Sequence, residues 1–393
     1  MKKFKTITAM LLTIVMFLLI AIPTGHAACM NIKITNSTHL YRLNKIFQTR
    51  IDAIQENNCP KVSVIKQLND FQGNQYTLAE YTPIGYAILN EESGQFLEYS
   101  ATSPSPYLGK ESRLFYGGPT QYFIKTEQNE YIDLFTDQAI NREKQISLEE
   151  SCSLQYQSLL KNCDEMVSTY LTKQFVAQDT ENIISIQSSG YTEDTKYVSY
   201  STRLSNLDNP GYISRGDGVC GYIAAAMLLY YYTSSGRRYI TSKDDYYTKN
   251  GKYYIDEKLT TYLVDDFRKT LNLDYSTTAQ AIYKLVSNYI TVFCRNRGLD
   301  ASGISHSKVF APFIIQSNIA SHIYNNKPVI LFGSLYSPTS NKYINHAVLA
   351  YGYYMYMSGS VMMYQFIVHF GYAGYSKVYL NDRALGSYYV LSC

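Results

Sequence analysis

The alternation of apolar and polar positions changes character several times along the chain. Residues 9–22 are apolar apart from Thr13; Lys2, Lys3 and Lys5 precede them, and Gly25 and Ala27 follow at small-x-small spacing. A basic start, a short apolar run and small residues at its end predict a secretory signal peptide over 1–27, and hence an exported protein. An uncleaved membrane anchor is the other reading of that run. Residues 30–58 are mixed, with helical character through Leu40–Ile54. From Val62 to Tyr107 the period drops to two, in the runs QYTLAEY, GYAILN and FLEYSA, with turn material between them. RLFYGG, QYFIKT and EYIDLF continue the strands to about Phe135, and 147–175 carries helically spaced Leu and Met. The chain then turns polar from 176 to about 210 and ends that stretch in LDNPG, which predicts an exposed, protease-sensitive connection.

A second unit begins near residue 196. CGYIAAAMLLYYY predicts a helix starting at or beside Cys220, and Leu259–Leu273, Ala279–Arg297 and Pro312–Asn325 predict three more. Five strand-like runs close the chain: PVILFGSLY, HAVLAYGYYMYM, YQFIVHF, SKVYL and SYYVLS. Helices first and antiparallel strands afterwards predict an α+β domain, with a loop excursion over 235–275 and a further loop over 298–310.

Length and composition narrow the class. At roughly 150 residues per domain, a chain of 393 residues holds two to three domains. Its hydrophobic content of 46% and charged content of 17% exclude a wholly disordered or fibrous chain. Taking the three lysines of the leader from 35 basic residues leaves 32 against 32 acidic ones. A neutral mature chain has no global electrostatic reason to bind nucleic acid, or a membrane once the leader is removed. The seven cysteines are scattered, with no CxxC and no zinc spacing, so neither a disulfide framework nor a metal site is expected. No cofactor motif is present, and the 41 tyrosines stand against no tryptophan.

The candidate chemistry centres on Gly216-Asp217-Gly218-Val219-Cys220-Gly221. Two glycines permit a sharp turn into the helix, leaving the Cys220 thiol at its N-terminus. There the unpaired N–H groups and the dipole favour thiolate, and the same donors can receive an oxyanion. The alternative is a buried cysteine in a small-residue turn. A thiolate nucleophile needs a base that later protonates the leaving amine. Of the six histidines, His346 opens the strand Asn345-His346-Ala347-Val348-Leu349-Ala350 and is the candidate. His369, in Ile367-Val368-His369-Phe370-Gly371-Tyr372, is the candidate third residue, holding the imidazole in one orientation. Either histidine can instead be a satisfied core residue.

A Cys opening an Ala-rich helix, then HAVLAYGY, then VHFGYAG, resembles the papain-like cysteine peptidases, and within them the streptopain group of secreted bacterial enzymes. In that group the third motif reads Val-Asn-Trp-Gly-Trp-Gly-Gly. The match places His369 at the Asn position and Phe370 and Tyr372 at the two tryptophans, as the aromatic wall of the site. Ser214 falls where the family has its oxyanion-hole Gln, so Ser214 and Gly221 are the positioning candidates. The front of the chain resembles the group's propeptide, through Gly85-Tyr86-Ala87-Ile88 and Tyr99-Ser100-x-x-Ser103-Pro104.

The resemblance therefore implies a propeptide-like inhibitory or folding domain over 28–175, an activation linker over 176–195 and a papain-like peptidase domain over 196–393. The expected function is a secreted cysteine endopeptidase made as a zymogen, acting on protein or peptide substrates, with its own propeptide-like domain as partner. A cell-wall amidase using the same dyad and a catalytically impaired fold acting as a surface binding protein are the alternatives.

Overall fold

The computed structural model describes residues 61–90, 96–111, 113–142, 145–146, 148, 194–209, 219–235, 241–266, 279–294, 298–299, 302–310, 316–333, 336–337, 342–343, 347–358, 361–381 and 385–392. The signal peptide over 1–27, the helical expectation over 40–54, the linker up to residue 193, and almost all of 147–175 lie outside them.

Eight strands form the N-terminal unit: β1 (Lys61–Asn69), β2 (Gln75–Thr82), β3 (Tyr86–Asn90), β4 (Phe96–Ser100), β5 (Leu114–Tyr116), β6 (Tyr122–Lys125), β7 (Tyr131–Asp133) and β8 (Gln138–Ala139). The C-terminal unit opens with β9 (Asp194–Tyr197), helix α1 (Thr202–Ser205) and β10 (Leu207–Asn209). Helix α2 (Cys220–Ser234), the hairpin β11 (Tyr246–Lys249) and β12 (Lys252–Ile255), α3 (Glu257–Thr261) and α4 (Ala279–Asn288) follow. Then come β13 (Ser305–Phe310), α5 (Gln316–Tyr324), β14 (Val329–Gly333), β15 (Tyr336–Ser337), β16 (Lys342–Tyr343), β17 (Ala347–Ser358), β18 (Val361–His369), β19 (Val378–Asn381) and β20 (Leu385–Ser392). The chain is thus a mixed α/β protein with one large sheet and few helices.

That sheet runs through both units in the order β13-β20-β14-β17-β18-β19-β4-β3-β2-β1-β5-β6-β7-β8. Its C-terminal half is antiparallel throughout, as the alternating runs after residue 328 predict. β9 lies off this path, pairing antiparallel with β17 from Gly352↔Tyr197 to Met355↔Asp194. The C-terminal sheet therefore gains its first strand at Asp194, two residues ahead of the expected domain start at 196.

Helix α2 positions the candidate site. Every residue from Gly221 to Thr233 is buried. A helix apolar all round belongs inside a domain rather than on its surface, and α2 packs against β14 and β17 on one side and β12 and α4 on others. At the seam between units, β19 pairs with β4, Tyr379 opposite Tyr99 and Leu380 opposite Glu98. Tyr99 and Tyr379 stack at 4.8 Å, the Tyr99 hydroxyl donates to Gln365 Oε1 at 2.8 Å, and Ser100 Oγ donates to the Lys377 carbonyl at 2.7 Å. Much of the tyrosine surplus is structural: Tyr86, Tyr99, Tyr107, Tyr116, Tyr122, Tyr222, Tyr230, Tyr231, Tyr232, Tyr289, Tyr351 and Tyr379 are among the largest fully buried side chains.

Two expectations for loops give way to strands. The 235–275 excursion contains the hairpin β11–β12, which with β10 makes a separate three-stranded sheet, and the 298–310 loop contains the edge strand β13. Helix 259–273 is met over 257–261 and continues as a π-helical turn from Tyr262 to Asp266.

Candidate active site

Cys220 is the first residue of α2, preceded by Val219 in the helical region of backbone space. Its side chain is half-buried against the core, and the cysteine is free of any disulfide. The thiol sulfur accepts a hydrogen bond from the Ala347 amide at 3.4 Å, tying the start of α2 to the start of β17. The next residue back along the chain is His346, which lies outside the described residues, as does Ser214. Gly221 is buried in the first turn of the helix.

The start of β17 and the end of β18 lie side by side, with Leu349 opposite His369. His369 is wholly buried at 0% exposure. Its Nδ1 accepts from the Gly371 amide at 2.9 Å, which leaves the ring proton on Nε2, and Nε2 donates to the Leu207 carbonyl at 2.8 Å. Burial drives its pKa down to about 4, against the smaller opposing pull of the Leu207 carbonyl and Asp208. The imidazole is therefore neutral at neutral pH. Both of its ring nitrogens are occupied by backbone groups, so none is left to orient a second imidazole, the role expected of it. In this arrangement it fastens the end of β18 to β10.

The segment after His369 wraps the first turn of α2. Gly371 has φ +87°, and a Cβ there would meet Ile223 Cγ2 at 3.0 Å. The Phe370 amide donates to the Tyr375 carbonyl at 3.0 Å, closing the loop. Phe370 is buried, its ring parallel to that of Tyr375 at 6.4 Å. Tyr372 is stacked at 4.1 Å on Phe135, which comes from the turn after β7 of the N-terminal unit. Phe135 also meets Tyr375 edge-on at 5.0 Å. The aromatic pair expected to wall the site thus has one member in the core and one engaged by the other unit.

Phe135 and the Leu207 carbonyl are the site neighbours that sequence reasoning missed. The carbonyl is a backbone atom and leaves no trace in residue identity. Phe135 stood at the end of a strand-like run with nothing to distinguish it from a core aromatic. Among the described residues no group of three or more His, Cys, Asp or Glu is placed to hold a metal ion, and no helix is long and apolar enough to cross a membrane. No protein-family model matches the chain, and no curated protein matches it.

Proposed function

We propose that the protein is an exported papain-like cysteine endopeptidase made as a zymogen, with Cys220 as nucleophile and His346 as base. The observation that supports this reading is the hydrogen bond from the Ala347 amide to the Cys220 sulfur, which joins the start of α2 to the start of β17, the strand that follows His346 in the sequence. In the reaction His346 takes the thiol proton and the Cys220 sulfur attacks the peptide carbonyl. The oxyanion is received at the start of α2, with the Gly221 amide and the Ser214 side chain as the positioning candidates. Collapse of the intermediate expels the amine, protonated by His346, and leaves a thioester. Water, deprotonated by His346, then releases the acid and restores the thiol.

In this reading the third position is a backbone clamp, and the catalytic unit is a dyad. The N-terminal unit is the prodomain, its Phe135 lying on the loop that borders the nucleophile's helix. Activation by cleavage falls before Asp194, since β9 belongs to the peptidase sheet. The occupied ring of His369 favours one second reading, a catalytically impaired fold that binds partners.

The test compares export and processing of the wild-type chain and Cys220→Ser. We expect processing to be lost in the variant, and hydrolysis of a denatured protein substrate to fall by about 10³-fold or more. An unprocessed wild-type chain with no labelling of Cys220 by a thiol-reactive epoxide supports the binding protein instead.

A further inference from the structure

The seam between the two units is built around a buried carboxyl. Glu98 lies on β4, opposite Leu380 of β19, and is 0% exposed. The Tyr122 hydroxyl, from β6, donates to its Oε1 at 2.5 Å, and the Tyr116 hydroxyl, from β5, to its Oε2 at 3.4 Å. Tyr86 faces it from β3 and interacts with its charge, while the buried Tyr86 hydroxyl makes no hydrogen bond among the described residues. Tyr107 and, from the C-terminal unit, Tyr375 also feel its charge.

None of these groups is a cation. Ammonium groups in and beside the surrounding strands are engaged elsewhere: Lys66 of β1 pairs with Glu80 of β2 at 2.9 Å and donates to the Tyr107 carbonyl at 3.0 Å, and Lys125 and Lys377 lie over the rings of Tyr131 and Tyr197. Asp133 of β7, which acts on Tyr107, adds charge of the same sign as a Glu98 carboxylate. Hydroxyl donors partly satisfy a carboxylate, but they do not neutralise it. Burial accordingly pushes the Glu98 carboxyl from 4.5 up to about 8, against the opposing pull of its tyrosine hydrogen bonds.

The cage reaches the candidate site through ring contacts. Tyr122 meets Phe135 edge-on at 5.1 Å, and Phe135 stacks on Tyr372 at 4.1 Å. The other wall of the cage is β4 itself, which carries the pairing to β19.

We propose that Glu98 and its tyrosine cage form a proton-controlled latch, closing the N-terminal unit onto β19 and the 370–375 loop when the carboxyl is neutral and loosening both when it ionises. An anion formed inside a sealed, uncharged cage is relieved only when water enters, and water enters by parting the walls. Those walls are the β4–β19 seam and the Phe135 contact.

The direction follows from proton counting. Between pH 4.5 and about 8 the closed form holds the proton that the opened form has lost. The opening constant therefore rises with pH in that window, by up to about tenfold per pH unit, and levels off above it. The latch stands apart from the peptidase reading, since Cys220 takes no part in it.

Hydrogen exchange tests it on the full-length chain carrying Cys220→Ser, which removes self-cleavage from the readout. After correction for intrinsic rates, we expect protection of the 96–100 and 378–381 segments to fall steeply from pH 5 towards pH 8, while 329–333 keeps its protection. Glu98→Gln, neutral at every pH, holds the seam protected throughout. If that variant does not fold, Tyr122→Phe decides: loss of a donor that favours the charged form raises the closed-state pKa, so the fall keeps its onset but levels off at higher pH. Equal seam protection of the parent at pH 5 and pH 9 overturns the latch. So does a parental profile in Glu98→Gln or an unmoved one in Tyr122→Phe.

Discussion

Around His369 the local geometry is fixed by contacts that single residue types do not announce. The sequence marks the position by its place in VHFGYAG, and marks Phe370 and Tyr372 as its aromatic neighbours. The atoms that fix the ring are the Leu207 carbonyl and the Gly371 amide, and backbone atoms are the same in every residue. Gly371 itself is informative, because its φ of +87° lies in the region that side chains avoid, and a Cβ would press on Ile223 at 3.0 Å. Gly371→Ala therefore has two costs, backbone strain and displacement of the first turn of α2. We expect a loss of about 1–3 kcal/mol in urea unfolding and slower labelling of Cys220, since Ile223 follows it by three residues in the same turn. A labelling rate equal to the parent's would separate this loop from the thiol.

Elements were legible where burial is one-sided or complete. The five C-terminal runs become β14, β17, β18, β19 and β20, and CGYIAAAMLLYYY becomes α2. The hairpin β11–β12 was not read, because adjacent tyrosines (Tyr246 with Tyr247, Tyr253 with Tyr254) put rings on both faces and erase the period of two. Its turn did carry a signal: Asn250 and Gly251 have φ of +52° and +75°, as an Asn-Gly type I′ turn requires. β13 was missed for another reason. As an edge strand paired only with β20, it needs few apolar residues, and SHSKVF supplies few. The attachment of β9 rests on a missing side chain. At Gly352, where the β17–β18 register shifts, a Cβ would meet Tyr197 Cδ1 at 2.8 Å and the Lys196 carbonyl at 3.0 Å. Gly352→Ala should therefore release β9 while the antiparallel sheet around it persists. Limited proteolysis is expected to cut near residues 194–198 in the variant and spare them in the parent.

For the whole molecule, the sequence separates two units and does not reveal that they share a sheet. Pairing between β4 and β19 joins residues some 280 positions apart, and strand pairing at that separation leaves no local pattern to read. The seam nevertheless has a consequence for the entire fold, because Glu98 and His369 titrate with opposite sign. Glu98 is raised from 4.5 to about 8, so its stabilisation is full below pH 4.5 and is lost as pH climbs towards 8. His369 is lowered from 6.5 to about 4, so its stabilisation is full above pH 6.5 and is lost as pH falls towards 4. Half-buried His306 and His322, also lowered, act in the same sense as His369. Each full proton changes stability by at most about 1.4 kcal/mol per pH unit. Between 4.5 and 6.5 the two slopes oppose each other, and above 6.5 the Glu98 slope acts without opposition from His369. Urea unfolding of the Cys220→Ser chain should therefore show no fall over pH 4.5–6.5, where the histidines offset Glu98, and a fall from 6.5 to 8. In Glu98→Gln the fall above pH 6.5 disappears while the acid limb remains, and in His369→Gln the acid limb becomes shallower while the fall above 6.5 remains. A Glu98→Gln curve that still descends between pH 6.5 and 8 would assign the alkaline limb to another group.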